Sequence, residues 1–146
     1  VSERKRNNMY TKIFTSLPQE AKNIRIEVFM KEQGFENEFD DIDTISHHIV
    51  VFDEGKPIGT CRFFKENNHY TIGRVAVLKE YRNQHIGNLL LESAENEIKK
   101  LNGDLIVVHA QVRVSPFYEK QGYIQFGQID DDEGVPHMWM KKKIQY

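Results

Sequence analysis

The sequence predicts an α+β domain built on a mixed, mostly antiparallel sheet of about seven strands flanked by helices. Three observations carry this. Runs rich in β-branched and aromatic residues are joined by short turns, which favours an antiparallel meander. One strand, ending near Val77, feeds a long patterned helix and then another apolar strand, the pattern of a single parallel crossover. No internal repeat or interdomain linker interrupts the 146 residues, so one domain is expected.

The elements follow in order. Val1 to Asn8 is polar and basic with no hydrophobic segment behind it, and reads as a disordered, frayed tail rather than a secretory signal. Met9 to Thr15 reads as the first strand. Ser16-Leu-Pro-Gln19 matches a capping box with Pro18 in the first turn, opening a helix that runs to about Gln33. Ala21, Ile24 and Val28 form its apolar stripe, widened by Ile26, Phe29 and Met30, so the helix should be largely buried. Gly34 suits its left-handed end. Glu36 to Asp43 then forms an acidic loop.

Strands at His48–Phe52, Ile58–Lys65 and Tyr70–Leu78 follow, separated by turns at Glu54-Gly-Lys-Pro57 and Asn67-Asn68. In the helix from Ile86 to Leu101, the residues Ile86, Leu89, Leu90, Ala94, Ile98 and Leu101 keep the 3.6-residue period. Glu92, Glu95, Asn96 and Lys99 face outward, Glu95 and Lys99 form an i,i+4 pair, and Gly103 can end the helix. Leu105 to Ala110 is uniformly apolar and therefore central. Ser115 caps a short helix to Lys120 with Pro116 at its first position, and Gly122 stops it. Tyr123–Gly127 and Met138–Ile144 supply the last strands around an acidic turn, Asp130 to Glu133.

A formal net charge of −2 argues against a general nucleic-acid binder. No apolar run approaches the ~18 residues that span a bilayer, so no membrane segment is expected. Cys61 is the only cysteine. It allows no intrachain disulfide, excludes four-cysteine zinc patterns, and reads as a buried structural thiol. A reducing cytoplasm is the default compartment.

The chemistry concentrates in Gly73 to Leu91. There a β-branched run breaks into the polar turn Arg82 to His85, and a helix starts at once. A strand feeding a helix through a tight turn aims backbone N–H groups and the positive end of the helix dipole at one point, which suits a phosphate or pyrophosphate. The acidic runs Glu36–Asp43 and Asp130–Glu133 either attract a cationic acceptor or are solvated loops. Neither has calcium-loop spacing. The adjacent His47 and His48 would point to opposite faces of a strand, so no metal is expected.

Three segments together carry a family resemblance. Arg74-Val-Ala-Val-Leu-Lys-Glu-Tyr-Arg-Asn-Gln-His-Ile-Gly87 resembles the acetyl-CoA motif of the GNAT N-acetyltransferases, Arg/Gln-x-x-Gly-x-Gly/Ala. Phe117-Tyr-Glu-Lys-Gln-Gly-Tyr123 resembles the family's second signature. Val28-Phe-Met-Lys-Glu-Gln33 and Glu133-Gly-Val-Pro-His137 are similar to the ElaA/YjcF-like bacterial subgroup. The resemblance covers about Met9 to Ile144. One departure stands out: His85 and Asn83 occupy positions where the family usually has glycine, while Gly87 remains. Histidine and asparagine visit positive φ more readily than most residues. The resemblance therefore implies retained binding with altered affinity, with His85 facing solvent or lying alongside a phosphate.

The resemblance implies a GNAT fold whose central strands splay to admit acetyl-CoA as co-substrate. The backbone of Val75, Ala76 and Val77 would meet the pantetheine arm like an added strand. The turn formed by Arg82, Asn83, Gln84, His85, Ile86, Gly87 and Asn88 would take the pyrophosphate. Gln111, Phe117 and Lys120 complete the cofactor side. Tyr118 sits at the family's catalytic position, as the acid that protonates the departing thiolate; a phenol of pKa about 10 is reasonably matched to a thiol near 8.5. The acceptor would be a primary amine of a small molecule or peptide, attacking directly. An alkyl amine is largely protonated at neutral pH, so some group must take a proton. Glu27, Glu32, His48, His109 and His137 are the candidates. Arg62 and Arg74 flank the cleft, either to bind an anionic substrate or to pair with carboxylates. A homodimer follows only by analogy with relatives. The alternative reading is a catalytically weak acyl-CoA-binding or regulatory module with the same fold.

Overall fold

The computed structural model describes residues 8–146, so residues 1–7 of the expected tail lie outside it. Seven strands form one sheet: β1 (Met9–Phe14), β2 (His47–Asp53), β3 (Lys56–Glu66), β4 (His69–Val77), β5 (Leu105–Gln111), β6 (Ile124–Asp132) and β7 (Val135–Lys143). Their order is β1-β2-β3-β4-β5-β7-β6. All neighbours pair antiparallel except β4 and β5, which run parallel. That exception follows from the helix α2 (Ile86–Lys100), which carries the chain back between them.

Helices cover both faces, which explains why β2 is buried along almost its whole length. On one face, Leu90, Leu91, Ala94 and Ile98 of α2 pack on Ile49, Phe63, Ile72, Ile106 and Met140. On the other, Ala21, Ile24, Val28 and Phe29 pack on Val50, Phe52 and Ala76. These come from α1 (Gln19–Arg25) and its π-helical continuation, Ile26–Glu32. The helical stretch ends at Gly34, whose φ is +79°.

Several local expectations are corrected. The capping box at Ser16 does not form: Pro18 is the extended N-cap and makes no side-chain cap bond. Proline disfavours helical geometry at the preceding Leu17, so the chain cannot turn early enough for Ser16 to cap. Ser115 likewise lies inside α3 (Ser115–Lys120), because the 3₁₀ turn Val112–Val114 has already begun the coil. The last hairpin is longer than its hydrophobic pattern suggests. Asp130 to Asp132 belong to β6, and only Glu133 and Gly134 form the turn, both at positive φ. Glu95 does not pair with Lys99. It is half-buried against β7, where the Tyr123 hydroxyl and the Lys142 ammonium donate to it at 2.8 and 3.0 Å.

Asn102, at φ 66°, takes the left-handed position at the end of α2, one residue before Gly103. Gly103 is needed for a different reason. A Cβ there would lie 2.5 Å from Ile98 Cγ2 and 2.7 Å from the Tyr70 ring. Gly103→Ala is expected to destabilise the fold by about 1–3 kcal/mol through overpacking. A urea midpoint indistinguishable from the parent would show that Tyr70 moves aside at no cost.

Candidate active site

β4 and β5 stay paired only from Tyr70↔Ile106 to Ile72↔Val108. A bulge then bends β4 away: Arg62 pairs with Gly73 and Thr60 with Ala76, so Arg74 and Val75 stand opposite Cys61 alone. Arg74 adopts φ 52°, an unusual conformation for a non-glycine residue in a strand. The signal for this kink was Gly73, a glycine inside a strand pattern. A cleft of about 140 Å³ opens at the splay, lined among others by Phe29, Arg74, Val75, Gln111, Tyr118 and His137. Beyond Ile72, the β4 edge facing β5 has no strand partner among the described residues.

The start of α2 has the backbone form that glycines would otherwise supply. Asn83 and His85 have φ of 64° and 63°. No side chain caps the helix, which leaves the N–H groups of Ile86, Gly87 and Asn88 without side-chain partners. Asn83, Gln84 and His85 are exposed. A Cβ on Gly87 would stand 3.1 Å from Phe117 Cζ, so only glycine lets this first turn sit so close on α3. These features fit a bound pyrophosphate: free donors, a helix dipole and close backbone approach. Lys120 is exposed at the C-terminal end of α3.

Arg82 corrects one expectation. Its side chain is not held toward the anion site; its NH2 donates to Glu32 at 2.7 Å and its Nε to the Val77 carbonyl at 3.1 Å. It ties the end of β4 to the end of the first helical segment. The same pair removes Glu32 from the candidate bases, because the Arg82 hydrogen bond holds its carboxyl below the usual range. The Val77 carbonyl is thereby occupied too, which leaves the Val75 backbone and the Val77 N–H on the open edge, since Ala76, in register with Thr60 two residues before the Leu78 N–H that donates to Ile58, turns its backbone to β3.

Tyr118 is buried at the inner end of the cleft, with its ring edge-on to Phe117 and Tyr123. Burial, then the neighbouring Cys61 thiol, pushes its phenol pKa well above the ordinary value. It therefore stays protonated across the neutral range. Cys61 is itself pushed up to about 12 by complete burial, which makes it an inert packing thiol.

Three proton-accepting candidates fall outside the cleft or are occupied. Glu27 is exposed and pairs with Lys31 at 2.8 Å. Glu32 holds Arg82. His48 is 1% exposed and its Nε2–H donates to the Asp43 carbonyl at 3.0 Å. Desolvation outweighs that bond and lowers its pKa, keeping it neutral. Arg62 is no free anion site either, since it donates to Asp40 at 2.6 Å and Asp43 at 2.9 Å. Arg74 binds the Glu38 carboxylate at 3.0 Å. With Arg25, these residues form a six-membered ion network of three arginines and Glu38, Asp40 and Asp43. Three carboxylates of the first acidic run, Glu38, Asp40 and Asp43, are thus spent on arginines, while Glu36 and Asp41 stay exposed.

The cleft brings together His109, His137 and Gln111. His109 Nε2 lies 2.7 Å from Asp130 Oδ1, and its ring stacks on Trp139 with centroids 4.3 Å apart. His137 Nδ1 lies 2.8 Å from the Val135 carbonyl oxygen. Gln111 Nε2 donates to Gln33 Oε1 at 2.8 Å. The Glu133 carboxylate accepts the backbone N–H groups of Glu36 and Asn37 at 3.0 and 3.3 Å, tying the acidic loop to the last hairpin across the mouth. Gln33, Asp130 and Glu133 were not anticipated individually, because their partners are 97 or fewer residues away in sequence and carry no local pattern.

The sequence profile described as an acetyltransferase (GNAT) domain matches residues 15–144. The chain is 33% identical over 127 residues to the uncharacterized N-acetyltransferase YjcF of Bacillus subtilis (strain 168), covering 85% of this chain and 91% of that one. It superimposes on Escherichia coli ElaA with a TM-score of 0.82 at 21% identity, covering 92% and 99% of the two chains. An aminoglycoside 6'-N-acetyltransferase complexed with coenzyme A gives a TM-score of 0.74 at 14% identity, with 92% and 96% covered. These two structures share the fold.

Proposed function

Since this chain belongs to the GNAT acetyltransferase family, in its ElaA/YjcF-like branch, we propose that it moves an acetyl group from acetyl-CoA to a primary amine by direct attack. The observation that carries this is the joining of two features in one place: an unpartnered β4 edge at the splay and a buried phenol, Tyr118, in the same cleft. The uncapped N-terminus of α2, with Gly87 packed on Phe117, supplies the anion site next to them.

Acetyl-CoA supplies an activated acetyl thioester. The chain's own residues then divide the work. N–H groups of Ile86, Gly87 and Asn88 hold the pyrophosphate. A β4 N–H at Val75 or Val77 hydrogen-bonds the extended arm and polarises the thioester carbonyl. Tyr118 gives its hydroxyl proton to the leaving sulfur. Burial raises the phenol pKa, so Tyr118 keeps its proton at neutral pH until the thiolate departs.

The acceptor is a small molecule or peptide amine, and we place the enzyme in the cytoplasm. A thiol-release assay with acetyl-CoA and a panel of polyamines, aminoglycosides, amino sugars and lysine peptides is expected to find turnover with at least one acceptor. Calorimetry is expected to show acetyl-CoA binding. Binding without turnover on any amine would favour a regulatory module that keeps only the cofactor site. No binding at all would remove both readings.

A further inference from the structure

Resting on the transferase reading, we infer that His137 is the base that takes the acceptor's proton, held in place by a His109–Asp130 pair. The placements above leave two of the five candidate bases in the cleft, His109 and His137. The hydrogen bonds then distinguish them. A backbone carbonyl can only accept, so the proton of neutral His137 sits on Nδ1, directed at the Val135 oxygen 2.8 Å away. Nε2 therefore carries the lone pair. His137 lines the cleft and is 6% exposed, and among the described residues no hydrogen-bond partner takes up Nε2.

His109 is arranged differently. Its Nε2–H donates to the Asp130 carboxylate, whose carboxyl this bond holds below the usual range. Its ring lies between Trp139 and His137, with centroids 4.3 and 4.8 Å away. The stack leaves His137 little freedom to rotate. Asp130 reaches this position because β6 loops out: residues 127–129 stand opposite residue 138 alone, and Gly127 takes φ 72°. The loop-out restores the ladder with Asp130 in register with His137. An irregularity in an edge strand thus serves to bring one carboxylate onto one imidazole.

The proton balance is as follows. His137 Nε2 takes one proton from the ammonium and releases it to solvent. The amine nitrogen uses its freed lone pair to form the C–N bond. As the C–S bond breaks, the second nitrogen proton, made acidic by the new C–N bond, leaves to water, and Tyr118 donates to sulfur and is reprotonated from solvent. The products are an amide, a thiol and one free proton.

The first test does not depend on activity. ¹⁵N NMR of the imidazoles in the free protein at neutral pH is expected to show His137 protonated at Nδ1 and bare at Nε2. The opposite tautomer overturns the proposal. The second test compares His137→Gln with the parent on 2-phenylethylamine and on 2,2,2-trifluoroethylamine, which is already neutral at assay pH. The loss of kcat/KM is expected to exceed about 100-fold on the first and stay below about tenfold on the second, with acetyl-CoA affinity unchanged by calorimetry. Equal losses on both amines would make His137 a structural residue. Asp130→Asn, by weakening the His109 anchor, is expected to lower kcat several-fold and broaden the His137 signals. Unchanged signals and kcat would remove the pair from the mechanism. If the parent turns over neither these amines nor any acceptor of the panel, the transferase reading fails while the tautomer measurement still judges His137.

Discussion

Tyr118→Phe is expected to lower kcat by about 10²-fold or more while leaving acetyl-CoA affinity nearly unchanged. The substitution removes one oxygen from a ring whose packing is set by its neighbours. Phe117 and Tyr123 meet Tyr118 edge-on at centroid distances of 5.1 and 5.7 Å, and these contacts survive in phenylalanine. Tyr123 is independently anchored by its hydroxyl bond to Glu95, so the wall of the cleft keeps its shape. What is lost is the proton for the leaving thiolate. The comparison requires conditions in which chemistry limits the rate, checked by single-turnover kinetics. An unchanged chemical rate would take Tyr118 out of the reaction and leave it a packing residue. A parallel fall in acetyl-CoA affinity would instead assign the hydroxyl to ground-state binding.

Arg25→Met is expected to cost about 3–5 kcal/mol of stability. Arg25 is 1% exposed, and donates to Glu38 at 2.8 Å and to Asp43 at 2.7 Å. Removing it leaves two carboxylates in the interior with one charged partner fewer each. Arg25→Lys should recover part of the loss, because it restores the charge but not the planar fork. Urea denaturation of both variants decides this, and a loss below about 1 kcal/mol in Arg25→Met would mean that Arg62 and Arg74 suffice.

The same network sets an acid limit. Burial pushes Asp43 upward, but hydrogen bonds and charges from Arg25 and Arg62 outweigh it and lower its pKa to about 2. Asp40 is lowered in the same way by Arg62 and Arg74. A depressed carboxylate contributes stability above its ordinary pKa, near 4, and loses it as pH falls through the folded value. Glu38 opposes this, because burial raises its pKa despite Arg74 and Arg25. Stability is therefore expected to decline mainly between about pH 4 and pH 2, and the decline should shrink in Arg25→Met.

The network also shows where reading along the chain stops. The turn before α2 was legible because it is local: a strand, a turn at positive φ and a helix start lie within one short stretch. The role of Arg82 was not, since its partner Glu32 is 50 residues away. The acidic loop read as solvent-facing for the same reason. Glu38 and Asp43 of this loop are buried only because Arg25 lies on a helix and Arg62 and Arg74 on neighbouring strands. The capping box at Ser16 failed on a local conflict, with proline geometry overriding the hydrogen-bond pattern.

By itself the sequence determined the fold class, the sheet of about seven strands flanked by helices and the strand-turn-helix start at Ile86, because periodicity and turn chemistry act over a few residues. Only the tertiary structure decided which charged groups are free to react. Glu27, Glu32 and His48 stood level with His109 and His137 as candidate bases, and Arg62 and Arg74 stood as candidate anion binders. Burial, ion pairing and the bulges in β4 and β6 separated them, because a side chain's proton affinity and reach depend on neighbours that the fold alone brings within 3 Å.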